Sequence, residues 1–272
     1  MKLMLSAKSL CPLIFLIASS AASAAEVDIA LASGFALFQD VQVPVNEAVQ
    51  GSQPVRADGS DPGIENSTHA GFPVIFMLGY RLRPSELLGF DSGLEFVHAA
   101  GATGPKETLD ASYGRMEASA GPTLNFGADR SVGVAAGYRR SSFMNVSTGH
   151  AVDTVIIRPQ AKFRLFDRLS ADAYYATGIN ANVKYLEDGT FKGRDLPGSS
   201  GSLNGFGLGF RYALASDSLV TMGYEREDTR LTIRDIYAYR KLGLVIENPR
   251  GPLSRDYALS TQIYRLGVAK TW

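Results

Sequence analysis

Val155-Ile156-Ile157-Arg158-Pro159-Gln160-Ala161-Lys162-Phe163-Arg164-Leu165 changes character at every second residue. Val155, Ile157, Ala161, Phe163 and Leu165 form an almost wholly apolar face, while Ile156, Arg158, Gln160, Lys162 and Arg164 form one that becomes strongly basic. A period of two belongs to a β-strand, because successive side chains point to opposite sides of the sheet. A strand that carries several cations on one face and none on the other separates two very different surroundings.

The same period recurs outward in both directions. Toward the N-terminus it runs through Val27, Ile29, Leu31, Phe35 and Leu37, then Phe72, Val74, Phe76, Leu78, Tyr80 and Leu82, with Pro73 read as a strand start. Leu88, Phe90, Leu94 and Phe96 follow, then Met116, Ala118, Ala120, Leu124 and Phe126, then Val132, Val134, Ala136 and Tyr138. Toward the C-terminus come Leu169, Ala171, Ala173, Tyr175 and Ile179, then Phe206, Leu208, Phe210, Tyr212 and Leu214, then Val220, Met222 and Tyr224, and a last strand ends at Trp272. In the run Gly205-Phe206-Gly207-Leu208-Gly209 the glycines continue the alternation, so it reads as a strand with small inward residues rather than a phosphate-binding loop.

Connections decide between a soluble sandwich and a membrane barrel. Long ones at roughly 39–70, 99–111, 143–152, 180–203 and 228–256 alternate with short ones at 83–87, 127–130, 166–168 and 215–217. That rhythm predicts an all-β, antiparallel transmembrane β-barrel of ten strands with long extracellular loops and short periplasmic turns. Within the last loop Leu231, Ile233, Tyr237 and Tyr239 alternate before Leu244-Val245-Ile246, so an added hairpin would make twelve. Aromatic residues fall at the expected interfaces: Tyr80, Phe90, Phe126, Phe163, Phe166, Tyr212 and Trp272 at the short-turn end, and Phe38, Phe72, Phe96, Tyr138, Tyr175, Phe206 and Tyr224 at the other.

The two ends of the chain carry targeting information. Lys2 and Lys8, the apolar run Leu10 to Ala18 and the small residues Ala22-Ser23-Ala24 read as a cleaved signal peptide over residues 1–24, leaving residues 25–272 as one domain. Cys11, the only cysteine, leaves with that segment. At the far end Tyr264, Leu266, Val268 and Trp272 alternate outward around Arg265 and Gly267. This resembles the C-terminal assembly signal of Gram-negative outer-membrane β-barrel proteins, with Arg265, Gly267 and Trp272 matching and Lys270 standing where that pattern has an apolar residue. The resemblance implies an outer-membrane location and two kinds of partner: the barrel assembly machinery, and outer-membrane lipid with lipopolysaccharide.

Lys+Arg and Asp+Glu are 27 each, which argues against recruitment to nucleic acid by net charge. No cofactor is implied. The residues expected to line the lumen are Arg115, Glu117, Arg139, Arg158, Lys162, Arg164, Asp172, Arg211 and Glu225, joined by Asp28, Arg81, Asp91, Glu95 and Arg265. Charges inside so narrow a barrel must be wet or tightly paired. One reading is therefore a narrow porin-like channel for small solutes, its strip of Arg158, Lys162 and Arg164 favouring anions. The alternative is a plugged structural or surface-binding barrel that works through its extracellular loops.

A hydrolase is the third reading. Ten-stranded proteases of the omptin family place paired acids and a histidine at the extracellular end, where His69, His98 and His150 are also expected. Neither His150-Ala151-Val152-Asp153 nor Asp58-Gly59-Ser60-Asp61 has the two-residue spacing that would put both groups on one strand face. Gly-x-Ser-x-Gly is absent, so no catalytic residue is assigned. The first long loop is acid-rich and the last basic, a bias that suits packing over the mouth or contact with lipopolysaccharide phosphates.

Overall fold

A computed structural model describes residues 25–44, 65–102, 111–127, 130–144, 149–186, 193–195, 200–214, 217–235, 237–241, 244–247 and 253–272. The expected signal peptide, and Asp58 and Asp61, lie outside these residues. The strands are β1 (Ala25–Pro44), β2 (Glu65–Leu82), β3 (Leu88–Ala102), β4 (Ala111–Asn125), β5 (Ser131–Met144), β6 (Gly149–Phe166), β7 (Leu169–Leu186), β8 (Gly193–Asp195), β9 (Ser200–Ala213), β10 (Ser218–Asp235), β11 (Tyr237–Lys241), β12 (Leu244–Glu247) and β13 (Leu253–Thr271).

Every neighbouring pair is antiparallel, and β1 pairs with β13 from Asp28↔Thr271 to Pro44↔Arg255, so the sheet closes on itself. Val27 and Trp272 exchange backbone hydrogen bonds of 3.0 and 2.9 Å and extend that seam to the last residue. Ten strands make the wall, since β8 is a short flap on β7 and β11 pairs only with β12. The hairpin foreseen in the last loop forms, but outside the barrel sheet, so the wall has ten strands and not twelve.

The strands run further toward the long-connection end than the sequence reading placed them. An 18-residue strand such as β2 or β10 extends about 60 Å and, at the usual barrel tilt, stands roughly 45 Å tall, against an apolar band of about 25 Å. The outer surface follows this division. Phe72, Phe96, Tyr138, Tyr175 and Phe206 are exposed at one level of the wall, and Phe90, Phe126, Phe163, Phe166, Tyr212 and Trp272 at the short-turn end. Beyond the first ring the outward positions turn polar, with Asn182, Ser202, Asn204, Arg226 and Arg230 exposed.

Phe38 departs from the expected ring. It is 0% exposed and points inward, because an even position on β1 shares the lumen face with Ala30, Ala32 and Ala36. Pro73 also departs, lying in mid-strand. The β1–β2 ladder skips from Ser33↔Val74 to Ala36↔Gly71, so the missing N–H falls where no ladder bond is made, and Ser33 Oγ donates to the Pro73 carbonyl at 2.8 Å. Pro122 and Pro159 use the same device: β4–β5 skips between Ala120↔Ala136 and Thr123↔Gly133, and β6–β7 between Ile157↔Thr177 and Gln160↔Tyr174.

Lys270 is accommodated at the short-turn rim. Its Nζ lies 3.3 Å from Asp217 Oδ2 and 5.5 Å from the Trp272 ring centroid. The hydrogen bond from Lys270, then its charge, holds the Asp217 carboxyl below the usual range.

Candidate functional site: the barrel interior

The inward faces build three layers. At the short-turn end Arg81 reaches Glu26 at 2.6 Å, Asp91 at 3.4 Å and Asp28 at 3.9 Å, and Arg211 lies 3.4 Å from both Asp28 and Asp172. Thr271 Oγ1 donates to the other oxygen of Asp28 at 2.5 Å.

The middle layer is a continuous ion-pair network. Arg115 bonds Glu225 through both terminal nitrogens, one at 2.9 Å to Oε2, contacts Glu95, and lies 3.5 Å from Glu227. Arg139 donates from Nε (2.8 Å) and Nη2 (2.5 Å) to Glu117 and from Nη1 to Glu227. Arg158 donates to Glu117 at 2.6 Å and to Ser119 Oγ at 2.9 Å, with its guanidinium 5.2 Å over the Tyr174 ring, and Arg265 lies 3.6 Å from Glu95. Four arginines thus face four glutamates. Arg139 is 1% and Glu227 1% exposed, so these groups are out of water, and each is offset by a partner of opposite sign in contact.

The third layer, toward the long connections, is aromatic. Phe38 stacks on His69 (5.6 Å between centroids) and Tyr113 (6.3 Å), Phe143 meets Phe38 (6.0 Å), His69 (5.8 Å) and Tyr257 (6.5 Å), and His150 lies 5.3 Å from Tyr257. Ile75, Val97, Val152, Val183, Leu231 and Ile263 complete a packed apolar cluster around them.

Glycine opposite a large side chain makes these layers fit. Tyr174 faces Gly207 and Asp172 faces Gly209 across β7 and β9. A Cβ on Gly207 would sit 2.2 Å from Tyr174 Cε1, and one on Gly209 would sit 2.6 Å from the Asp172 carboxylate oxygens. The glycine run is thus a groove for inward side chains of the neighbouring strand. Gly207→Val is expected to displace Tyr174 from beneath Arg158 and to destabilise the barrel by about 1–3 kcal/mol in denaturant unfolding.

Arg115, Glu117, Arg139, Arg158 and Glu225 all meet in the middle layer, and Asp172 and Arg211 in the lower one. Lys162 lines a cavity between them. Arg164, on the same strand, is exposed at the rim and donates to the Asp167 carbonyl at 2.9 Å. Glu227 was missed although it lies two residues beyond Glu225, on the same face. The aromatic layer goes beyond the sequence reading, which puts His69, Phe143 and His150 in connections and Phe38 in the outer ring, and gives Tyr113 no role.

The histidines stand on strands. His69 and His150 are buried in the lumen, and His98 is exposed on the outer face of β3. His150 and Asp153 face opposite sides: Asp153 lies on the outer wall, 3.8 Å from Arg140 and 3.3 Å from Lys184. In the C-terminal segment Tyr264, Val268 and Trp272 are exposed outward. Gly267 fits a close approach in which a Cβ would lie 2.3 Å from the Leu31 carbonyl oxygen.

No family model and no curated protein matches the chain. Solved structures with similar architecture include the outer membrane protease OmpT from Escherichia coli (9% identity, TM-score 0.45, covering 91% of this chain and 96% of that one). Others are the translocator domain of the autotransporter NalP from Neisseria meningitidis (13%, 0.37, 97% and 94%) and the Pseudomonas putida toluene transporter TodX (8%, 0.34, 92% and 90%). At these identities and TM-scores the likenesses give no guide to the chain's activity.

Proposed function

We propose that this protein is an exported outer-membrane β-barrel whose lumen is occluded and whose work is done at its outer surface, the barrel serving as a rigid mount for the long extracellular connections. The observation that carries this reading is the stack of two filled layers across the lumen, in which Arg139, Phe38, Tyr113 and Phe143 are each no more than 1% exposed. Among the described residues, ion pairs and packed rings crowd the lumen at two levels, which weighs against the narrow anion channel. The polar outer collar, with Arg140, Lys184, Arg226 and Arg230, stands above the apolar belt, level with lipid phosphates in this orientation, and supports contact with lipopolysaccharide. The terminal residues Tyr264, Arg265, Gly267, Val268 and Trp272 would serve the assembly machinery.

Planar-bilayer recording tests the reading directly. The refolded barrel, verified by heat-modifiable gel migration, is expected to be electrically silent. Discrete conductance steps that change ion preference in Arg158→Gln would instead establish the channel.

A further inference from the structure

A cavity of about 220 Å³ is lined by Glu95, Glu117 and Arg158 of the ion-pair layer and by Asp28, Arg81 and Lys162 nearer the short-turn end, which is the periplasmic end in the orientation proposed above. Its charged walls are unevenly satisfied. Asp28, Asp91, Asp172, Glu95 and Glu117 each have an arginine partner. Lys162 also lines the cavity, and no carboxylate pairs with it among the described residues. Three further groups around the cavity are buried without a hydrogen-bond partner: Arg158 Nε, Thr221 Oγ1, the latter on a residue 8% exposed, and Asp91 Oδ1.

Lys162, Arg158 Nε and Thr221 Oγ1 can donate, whereas Asp91 Oδ1, the one acceptor among these groups, already lies 3.4 Å from Arg81 Nε and each of the other acids named has its arginine. Such a surplus of donors around one unpaired ammonium calls for an acceptor that carries negative charge. A metal cation is disfavoured by the same count, since it would need carboxylate oxygens that the arginines hold. The volume suits a small molecule and excludes a polymer or a sugar chain.

The geometry points to a binding site for a small oxyanion of phosphate or carboxylate size, entering from the periplasmic end and held by Lys162 with Thr221 and Arg158. Glu117, held by the buried Arg139, lines the site, which is thus a pocket against the ion-pair layer and not one station of a pore. It stands independently of whether the loops bind a ligand.

Calorimetric titration of the refolded full barrel in detergent with inorganic phosphate, and separately with acetate, tests it. Saturable binding of at least one anion is expected, and which of the two binds identifies the class. Lys162→Gln is expected to weaken that binding by about tenfold or more, because a charge-assisted contact is lost, while Lys162→Arg retains it. No saturable binding of either anion, or equal affinity in Lys162→Gln, would overturn the site. Should Lys162→Gln fail to fold by gel migration, Thr221→Val takes its place with an expected loss of about threefold to tenfold for one hydrogen bond, and unchanged affinity there would be equally fatal.

Discussion

Arg139→Leu is expected to destabilise the barrel by about 3–5 kcal/mol, the largest effect of any single charge removal here. The side chain touches Glu117 through two nitrogens and Glu227 through a third, and all three groups are buried. Its loss leaves Glu227 with Arg115 at 3.5 Å and Glu117 with Arg158 at 2.6 Å, in a layer that now holds four glutamates against three arginines. Water cannot easily relieve that imbalance, because neighbouring side chains exclude it. Guanidinium unfolding in detergent measures the change, and Trp272, the only tryptophan, reports it from the β1–β13 seam. The double variant Arg139→Leu, Glu227→Gln is expected to recover most of the loss, since it leaves three glutamates against three arginines and keeps Glu117 with Arg158. A single variant as stable as the wild type would mean that this network is hydrated and open, and the occlusion argument would fail with it.

Phe143→Ala is the second. The ring is 1% exposed and packs against Phe38, His69 and Tyr257 at centroid distances of 6.0, 5.8 and 6.5 Å. Truncation leaves a cavity that a closed wall of hydrogen-bonded strands cannot collapse into, so the expected cost is about 3–5 kcal/mol. The same variant thins the aromatic layer without touching the ion pairs. Bilayer recording should therefore remain silent, because the middle layer still closes the lumen. Conductance appearing in Phe143→Ala alone would assign occlusion to the aromatic layer, and an unfolding midpoint equal to that of the wild type would show that the layer is loosely packed.

Much of this interior could be read from alternation. Once Val155 to Leu165 is a strand with an apolar and a basic face, each neighbour's inward set follows by counting in twos, and Arg115, Glu117, Arg139 and Glu225 come out together on the lumen face. Counting failed where a strand was ended too early. Phe143 falls in the connection read at 143–152, where the structure continues β5 to Met144, whereas Glu227 and Tyr113 are the last and first inward positions of their strands as read from the sequence and are reachable by the same count. Phe38 failed differently: an aromatic residue near a strand end looks like an interfacial ring residue, and only its even position on β1 marks it as inward.

The sequence by itself determined an antiparallel barrel wall of ten or twelve strands and most of the charged residues that face inward, because a period of two and the lengths of the connections are local properties. Tertiary structure decided how far the strands rise and which charge meets which. Arg115 and Glu225 are 110 positions apart and become partners only when the circle closes. Curvature brings facing walls within side-chain reach, which makes the interior a packed layer of ion pairs above a small pocket, and no local pattern encodes a contact across the diameter.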